Sequence, residues 1–226
     1  MPSATPRWRF LLLTATLWAW MFVAPHVGER WGVQLLLQLF LIHLVVVTLW
    51  ANPRWGVMRK VLVGFWCLSL ASAIAMSLSA GDESDRLARS AQCLALIPLL
   101  ALLATGLLRY VFTRRQLDGD GVFATIAAYL LIAIVFAQVY TLLVVWEPAS
   151  FSAAVPLAEQ TPDKLHASLI YYSLITLATV GYGDILPASE TARTFAVMEA
   201  TVGQFYIAVI VAVFVGMFAA ERGRER

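Results

Sequence analysis

Charge is what this sequence has least of. Only 13% of its 226 residues are Asp, Glu, Lys or Arg, about half the share of an ordinary soluble domain, while 61% are hydrophobic and the mean hydropathy is +0.78. A chain so poor in charge cannot stay solvated in water, whether as a soluble globule or as a disordered segment, so it belongs in a lipid bilayer. Its 16 basic and 14 acidic residues nearly cancel to a net +2, which gives no footing to a nucleic-acid partner. Cysteine is scarce too: Cys67 and Cys93 both sit in apolar runs, which suits two small buried thiols and no disulfide framework. No nucleophile beside a base, no metal-ligand cluster and no phosphate-cradling loop is present. The expectation is a protein that is not an enzyme and needs no cofactor.

What is present is long apolar runs. A helix needs about 20 mainly apolar residues to cross the hydrocarbon core. Runs of that kind lie at 10–24, 31–50, 57–80, 91–112, 122–146 and 192–220. The first follows Arg7 and Arg9 like a signal peptide, but Pro25 makes a poor cleavage site, and a retained helix is expected. With the N-terminus in the cytoplasm, 11 of the 16 basic residues fall inside, and six spans return the C-terminus to the same side. The expected product is an all-α, multi-pass membrane protein with both ends cytoplasmic, surrounded by membrane lipid.

A seventh apolar stretch, 166–180, is too short to span and ends in a glycine-rich turn, as a re-entrant segment would. Thr161, Pro162 and Asp163 offer an N-cap, a first-position proline and an acid in the first turn, so a short helix is predicted to begin there. It passes through His166, Leu169, Tyr172, Ile175 and Thr176 and stops before Gly181. The run Thr179-Val180-Gly181-Tyr182-Gly183-Asp184 follows.

That run resembles the selectivity filter of the potassium channel superfamily, and the likeness extends over residues 122–220. The pattern is similar to the prokaryotic six-transmembrane members. The resemblance implies that Thr179, Val180, Gly181 and Tyr182 hold K+ through backbone carbonyls and the Thr179 hydroxyl, with Gly183 completing the filter. It implies K+ as the permeant ion rather than as a cofactor. Because one chain carries one copy of the motif, it also implies a homotetramer. Asp184 matches the family's position at the outer mouth and is expected to support the filter by hydrogen bonding, with a solvated loop acid as the alternative. Tyr171 and Tyr172 occupy the places of a tryptophan pair in many relatives and, with Thr176, are expected to support the filter. Val180 and Tyr182 are expected to pack against the short helix.

In the last run, Gly203 lies where relatives carry an inner-helix hinge, with close helix packing as the alternative. Gln204, Ile207 and Val211 share one helix face and should line a water-filled cavity. Glu199 lies within an apolar span and needs a partner: a structural hydrogen bond to the short helix is expected, with a part in permeation or pH gating as the alternative. No proline pair bends the region of Ile210, Val211 and Ala212.

The first four spans resemble a voltage-sensor domain without its charge ladder. Arg86, Arg89 and Gln92 keep an every-third spacing, but residues 94–108 carry no charge and include Pro98. His43 is expected to be a neutral, hydrogen-bonded packing residue, and Asp118-Gly119-Asp120-Gly121 a turn. The division expected is a four-helix domain over 1–117 and a pore domain over 118–226. The latter comprises an outer helix 122–146, a turret 147–163, a pore helix 164–178, a filter 179–184 and an inner helix 192–220. Both terminal segments are short, so a prokaryotic plasma (inner) membrane is expected, with no cytoplasmic ligand-binding domain unless a separate subunit supplies one. The expected function is passive, K+-selective conduction without a conventional voltage sensor. The alternatives are weak voltage dependence through Arg86 and Arg89, or a non-conducting scaffold subunit.

Overall fold

The computed structural model describes residues 9–23, 30–51, 56–78, 82–113 and 119–224. Seven α-helices carry these segments: α1 (Arg9–Val23), α2 (Arg30–Ala51), α3 (Gly56–Leu78), α4 (Asp82–Phe112), α5 (Gly119–Trp146), α6 (Pro162–Leu177) and α7 (Glu190–Arg224). Among the described residues, α3, α4, α5 and α7 are long and apolar enough to cross a membrane. The described apolar stretches of α1 and α2, Phe10–Ala19 and Leu37–Leu49, are shorter. Arg7, Pro25, Arg54, Arg114, Arg115, Asp118 and Arg226, which entered the sequence reading, lie outside the described residues.

The fold is not purely helical. Two short strands, β1 (Phe151–Ala153) and β2 (Ile185–Pro187), pair antiparallel with Phe151 opposite Pro187 and Ala153 opposite Ile185. Each strand has only three residues, too few for an alternating pattern to register in the sequence.

In a bilayer both faces of a helix can be apolar, so side-chain size sorts the buried face from the lipid face. On α5 the small residues Ala124, Ala127 and Ala128 are fully buried and admit close neighbours. Leu96, Leu99, Leu103 and Leu107 line one face of α4, and Phe10, Leu13 and Leu17 one face of α1. Together they form one core in which α1 and α4 pack on the α5 of their own chain. A second cluster at the other end of α5 joins Tyr140, Val144, Phe151, Leu157, Leu165, Leu169 and Tyr172. The first core anchors the four-helix part; the second holds the segment before α6.

Polar contacts settle how α2, α3 and α4 pack. Gln38 and Gln92 both donate to the Ser69 hydroxyl, at 3.2 and 3.1 Å, and Ser72 donates to Gln92. Helix α4 begins at Asp82, well before the apolar run at 91, so Arg86 and Arg89 are helical. Arg89 lies 3.8 Å from Asp85, and Arg86 sits over the Trp146 ring, 5.3 Å from its centroid. Trp146 Nε1 donates to Ser90 at 2.9 Å, clasping the start of α4 to the end of α5.

Three local expectations are corrected. Asp120 and Gly121 belong to the first turn of α5 rather than to a loop. Cys67 is exposed, since its side of α3 faces outward, whereas Cys93 is buried. His43 packs on α2, but its buried Nε2 has no hydrogen-bond partner among the described residues.

The glutamine–serine network yields a stability prediction. Gln92→Leu removes one partner from each of the Ser69 and Ser72 hydroxyls, which keep Gln38 and the Ser69 carbonyl respectively, and should destabilise the protein by about 1 kcal/mol. Replacing all four members with apolar residues should restore most of that loss. Thermal unfolding of the purified protein in detergent reads both.

Candidate functional site

Helix α6 starts at Pro162, whose missing N–H would have had no intrahelical partner, with Asp163 in the first turn. Thr161 occupies the N-cap position, but its side chain makes no capping bond; its carbonyl accepts from Leu165 N–H at 2.9 Å instead. The helix ends at Leu177, with Ala178 as C-cap.

Beyond Ala178 the backbone alternates. Thr179, Gly181 and Gly183 have φ of 56°, 55° and 82°, while Val180, Tyr182 and Asp184 between them stay negative. Left-handed φ at every second residue turns alternate peptide planes so that successive carbonyls can face one side, the geometry a ring of ion ligands requires. Glycine adopts it freely. At Thr179 the same conformation costs roughly 1–2 kcal/mol, and sequence reasoning had no sign of it. The surrounding bonds hold it: Thr179 N–H donates to Thr176 at 2.9 Å, and Val180 and Gly181 N–H donate to the Ile175 carbonyl at 2.8 and 3.3 Å.

Side chains brace both ends of this segment. At one end Tyr171 Oη donates to Asp184 at 2.8 Å. At the other, Gln204 Nε2 on α7 donates to the Thr179 hydroxyl at 3.2 Å. The Tyr171–Tyr172 pair is split: Tyr172 is buried and packs edge-on against Tyr140 and Phe151, each 5.2 Å away. Val180 is 50% exposed and Tyr182 72% in the single chain. The whole run from Thr179 to Asp184 is uncovered in the single chain.

The β1–β2 ribbon closes the end of the site beyond Asp184. The Ser150 carbonyl accepts from Ala188 and Ser189 N–H at 2.8 and 3.2 Å, tying the end of the glycine-rich run to the segment after α5. On α7, Ile207 and Val211 lie exposed on the same side of the helix as Gln204. The helix runs unbroken past Gly203 and continues to Arg224. What Gly203 supplies is space: a Cβ there would fall 2.1 Å from the Leu177 carbonyl oxygen at the end of α6. Glu199, fully buried one turn earlier, accepts a hydrogen bond from Tyr140 Oη at 2.6 Å and contacts the Ser173 hydroxyl of α6.

Residues 124–220 match a family model described as "Ion channel". Protein LctB of Bacillus caldotenax is 34% identical over 96 residues, which cover 42% of this chain and 71% of that protein. The chain belongs to this ion-channel family. No solved structure matches it. The matched region includes nearly all of α5, the ribbon, α6, the glycine-rich run and most of α7, so the elements that converge on Thr179–Asp184 are the ones the family shares.

The close approach at Gly203 gives a second prediction. Gly203→Ala must push α6 and α7 apart and should destabilise the protein by about 2 kcal/mol or more. Gly64→Ala on α3, where a Cβ meets open space, should be neutral or stabilising by up to about 1 kcal/mol. Unfolding midpoints of the two variants in the same detergent make the comparison.

Proposed function

We propose that four copies of this chain surround a central axis and conduct K+ passively across a prokaryotic plasma membrane. The observation that carries the reading is the Thr179–Asp184 run, with left-handed φ at 179, 181 and 183 and all six residues uncovered. Backbone that leaves the helix at membrane depth is tolerated where it is buried in protein or lines water, and a tetramer provides both. Four runs facing one another offer stacked rings of carbonyl oxygen that replace the hydration shell of K+. The exposed Val180 and Tyr182 side chains then pack against neighbouring subunits. The C-terminal end of α6, with its partial negative charge, faces the water-filled space lined by Gln204, Ile207 and Val211 and favours a cation there. Both chain ends are cytoplasmic in this arrangement, the six apolar helical segments all span, and no catalytic step is involved.

The arginine placement supports conduction without a conventional voltage sensor. Arg86 rests on Trp146 and Arg89 beside Asp85, near one end of α4, so both have fixed local partners. A membrane potential does about 2.3 kcal/mol of work per 100 mV only on a charge that crosses the whole field.

Ion flux into liposomes holding only the purified protein tests the pore. Wild type should pass K+ in preference to Na+. Gly181→Ala puts a side chain at φ 55°, and its backbone strain of about 1–2 kcal/mol should cut K+ flux about tenfold or more. Equal flux of the two ions through wild type would sink the K+ reading. In the same liposomes, stepping the potential in both directions should give the same response for wild type and for Arg86→Gln/Arg89→Gln. A voltage response lost in the double variant would instead assign those arginines a sensing role.

A further inference from the structure

Glu199 of α7 is wedged between α5 and α6 with no exposed surface. Its Oε2 is 2.6 Å from Tyr140 Oη, and its Oε1 is in hydrogen-bonding contact with Ser173 Oγ. Ser173 Oγ is also 2.6 Å from the Ala133 carbonyl oxygen of α5. The two hydroxyls carry one proton each, and the Ala133 carbonyl only accepts. With Glu199 ionised, Ser173 must share its single proton between Ala133 and Glu199 Oε1 as a three-centre bond. With Glu199 protonated every contact has its own proton: Ser173 donates to Ala133, Tyr140 to Oε2, and Oε1 to Ser173, which favours the acid form.

Charge leads to the same place. Tyr140, Tyr172 and Tyr129 are the titratable groups that face Glu199 from the helices packed around it, and among the described residues no basic side chain pairs with it. An ionised, unpaired carboxylate at this depth is strongly disfavoured. The register gives the contact a purpose. Glu199 and Gly203 are one turn apart on α7 and meet Ser173 and Leu177, also one turn apart on α6. Leu177 directly precedes Ala178 and the Thr179–Asp184 run.

We propose that Glu199 is a neutral carboxylic acid that staples α6 to α5 and α7, and is thereby the positioning residue that sets where α6 delivers the filter. Glu199 hydrogen-bonds Tyr140 and Ser173 rather than the Thr179–Asp184 run, and acts on that run through Ser173. The effect on selectivity rests on the channel reading above; the protonation state does not.

Infrared difference spectra of the reconstituted protein, wild type against Glu199→Gln, test the acid directly. The expected result is a protonated-carboxyl band assigned to Glu199 at about pH 6 to 7, where an ordinary glutamate is ionised. A carboxylate band in its place overturns the staple. Flux ratios of K+ to Na+ supply the second readout. Glu199→Gln, whose amide can donate to Ser173 and accept from Tyr140, should keep the wild-type ratio within about twofold, whereas Glu199→Ala and Ser173→Ala should lower it about tenfold or more. A Gln variant as impaired as the Ala variant overturns the proposal. A wild type that shows the acid band but no preference for K+ overturns the channel reading and leaves the staple standing.

Discussion

Backbone that leaves a helix where water is scarce must find its hydrogen-bond partners within the protein, and around residues 178–189 the chain supplies such partners at both ends. The last turn of α6 satisfies the first peptide groups, through the carbonyls of Leu174, Ile175 and Thr176. The Ser150 carbonyl satisfies the last, at Ala188 and Ser189. Between them the side chains of Tyr171 and Gln204 brace Asp184 and Thr179. The six residues from Thr179 to Asp184 remain uncovered in one chain, and the proposal of a four-chain pore rests on that exposure.

The same constraint explains the placement of polar side chains elsewhere. Glu199, Gln138, Ser173, Gln38, Ser69, Ser72 and Gln92 are all buried away from the lipid face. In hydrocarbon a polar group finds partners only on another helix or its own backbone, so such groups fix which helices neighbour each other. Thr14 on α1 donates to the Phe123 carbonyl at 3.0 Å, and Tyr206 on α7 donates to the Thr125 carbonyl at 2.6 Å. Both land on the first turns of α5, two residues apart.

The glycine-rich run was legible in the sequence through its resemblance to a known filter motif, and two glycines at alternate positions after a proline-started helix agree with the backbone path found. Glu199 was legible as a charge in need of a partner, and α6 supplies that partner in Ser173. The left-handed Thr179 was not, because nothing in threonine announces a conformation that its surroundings impose. Tyr171 and Tyr172 were read as a pair, yet adjacent helical residues point about 100° apart and cannot serve one target. One reached Asp184; the other joined the aromatic cluster with Tyr140 and Phe151. The serine–glutamine network escaped notice because its members come from three helices and share no spacing.

Gly203 shows why packing decides between readings that sequence leaves open. A glycine within an apolar span suits either a bend or a close contact, and α7 is continuous through it while the Leu177 carbonyl occupies the space a side chain would need. That carbonyl ends the helix that leads into Thr179, and Gln204, the next residue on α7, reaches the Thr179 hydroxyl. Two consecutive residues of one helix thus meet the two ends of a three-residue link, Leu177 to Thr179. A rotation of α7 large enough to remove Gln204 from Thr179 would also carry Gly203 off the Leu177 carbonyl and bring a neighbouring side chain toward it, an overlap that a close-packed contact resists. The position of α7 and the shape of the glycine-rich run are therefore mechanically coupled.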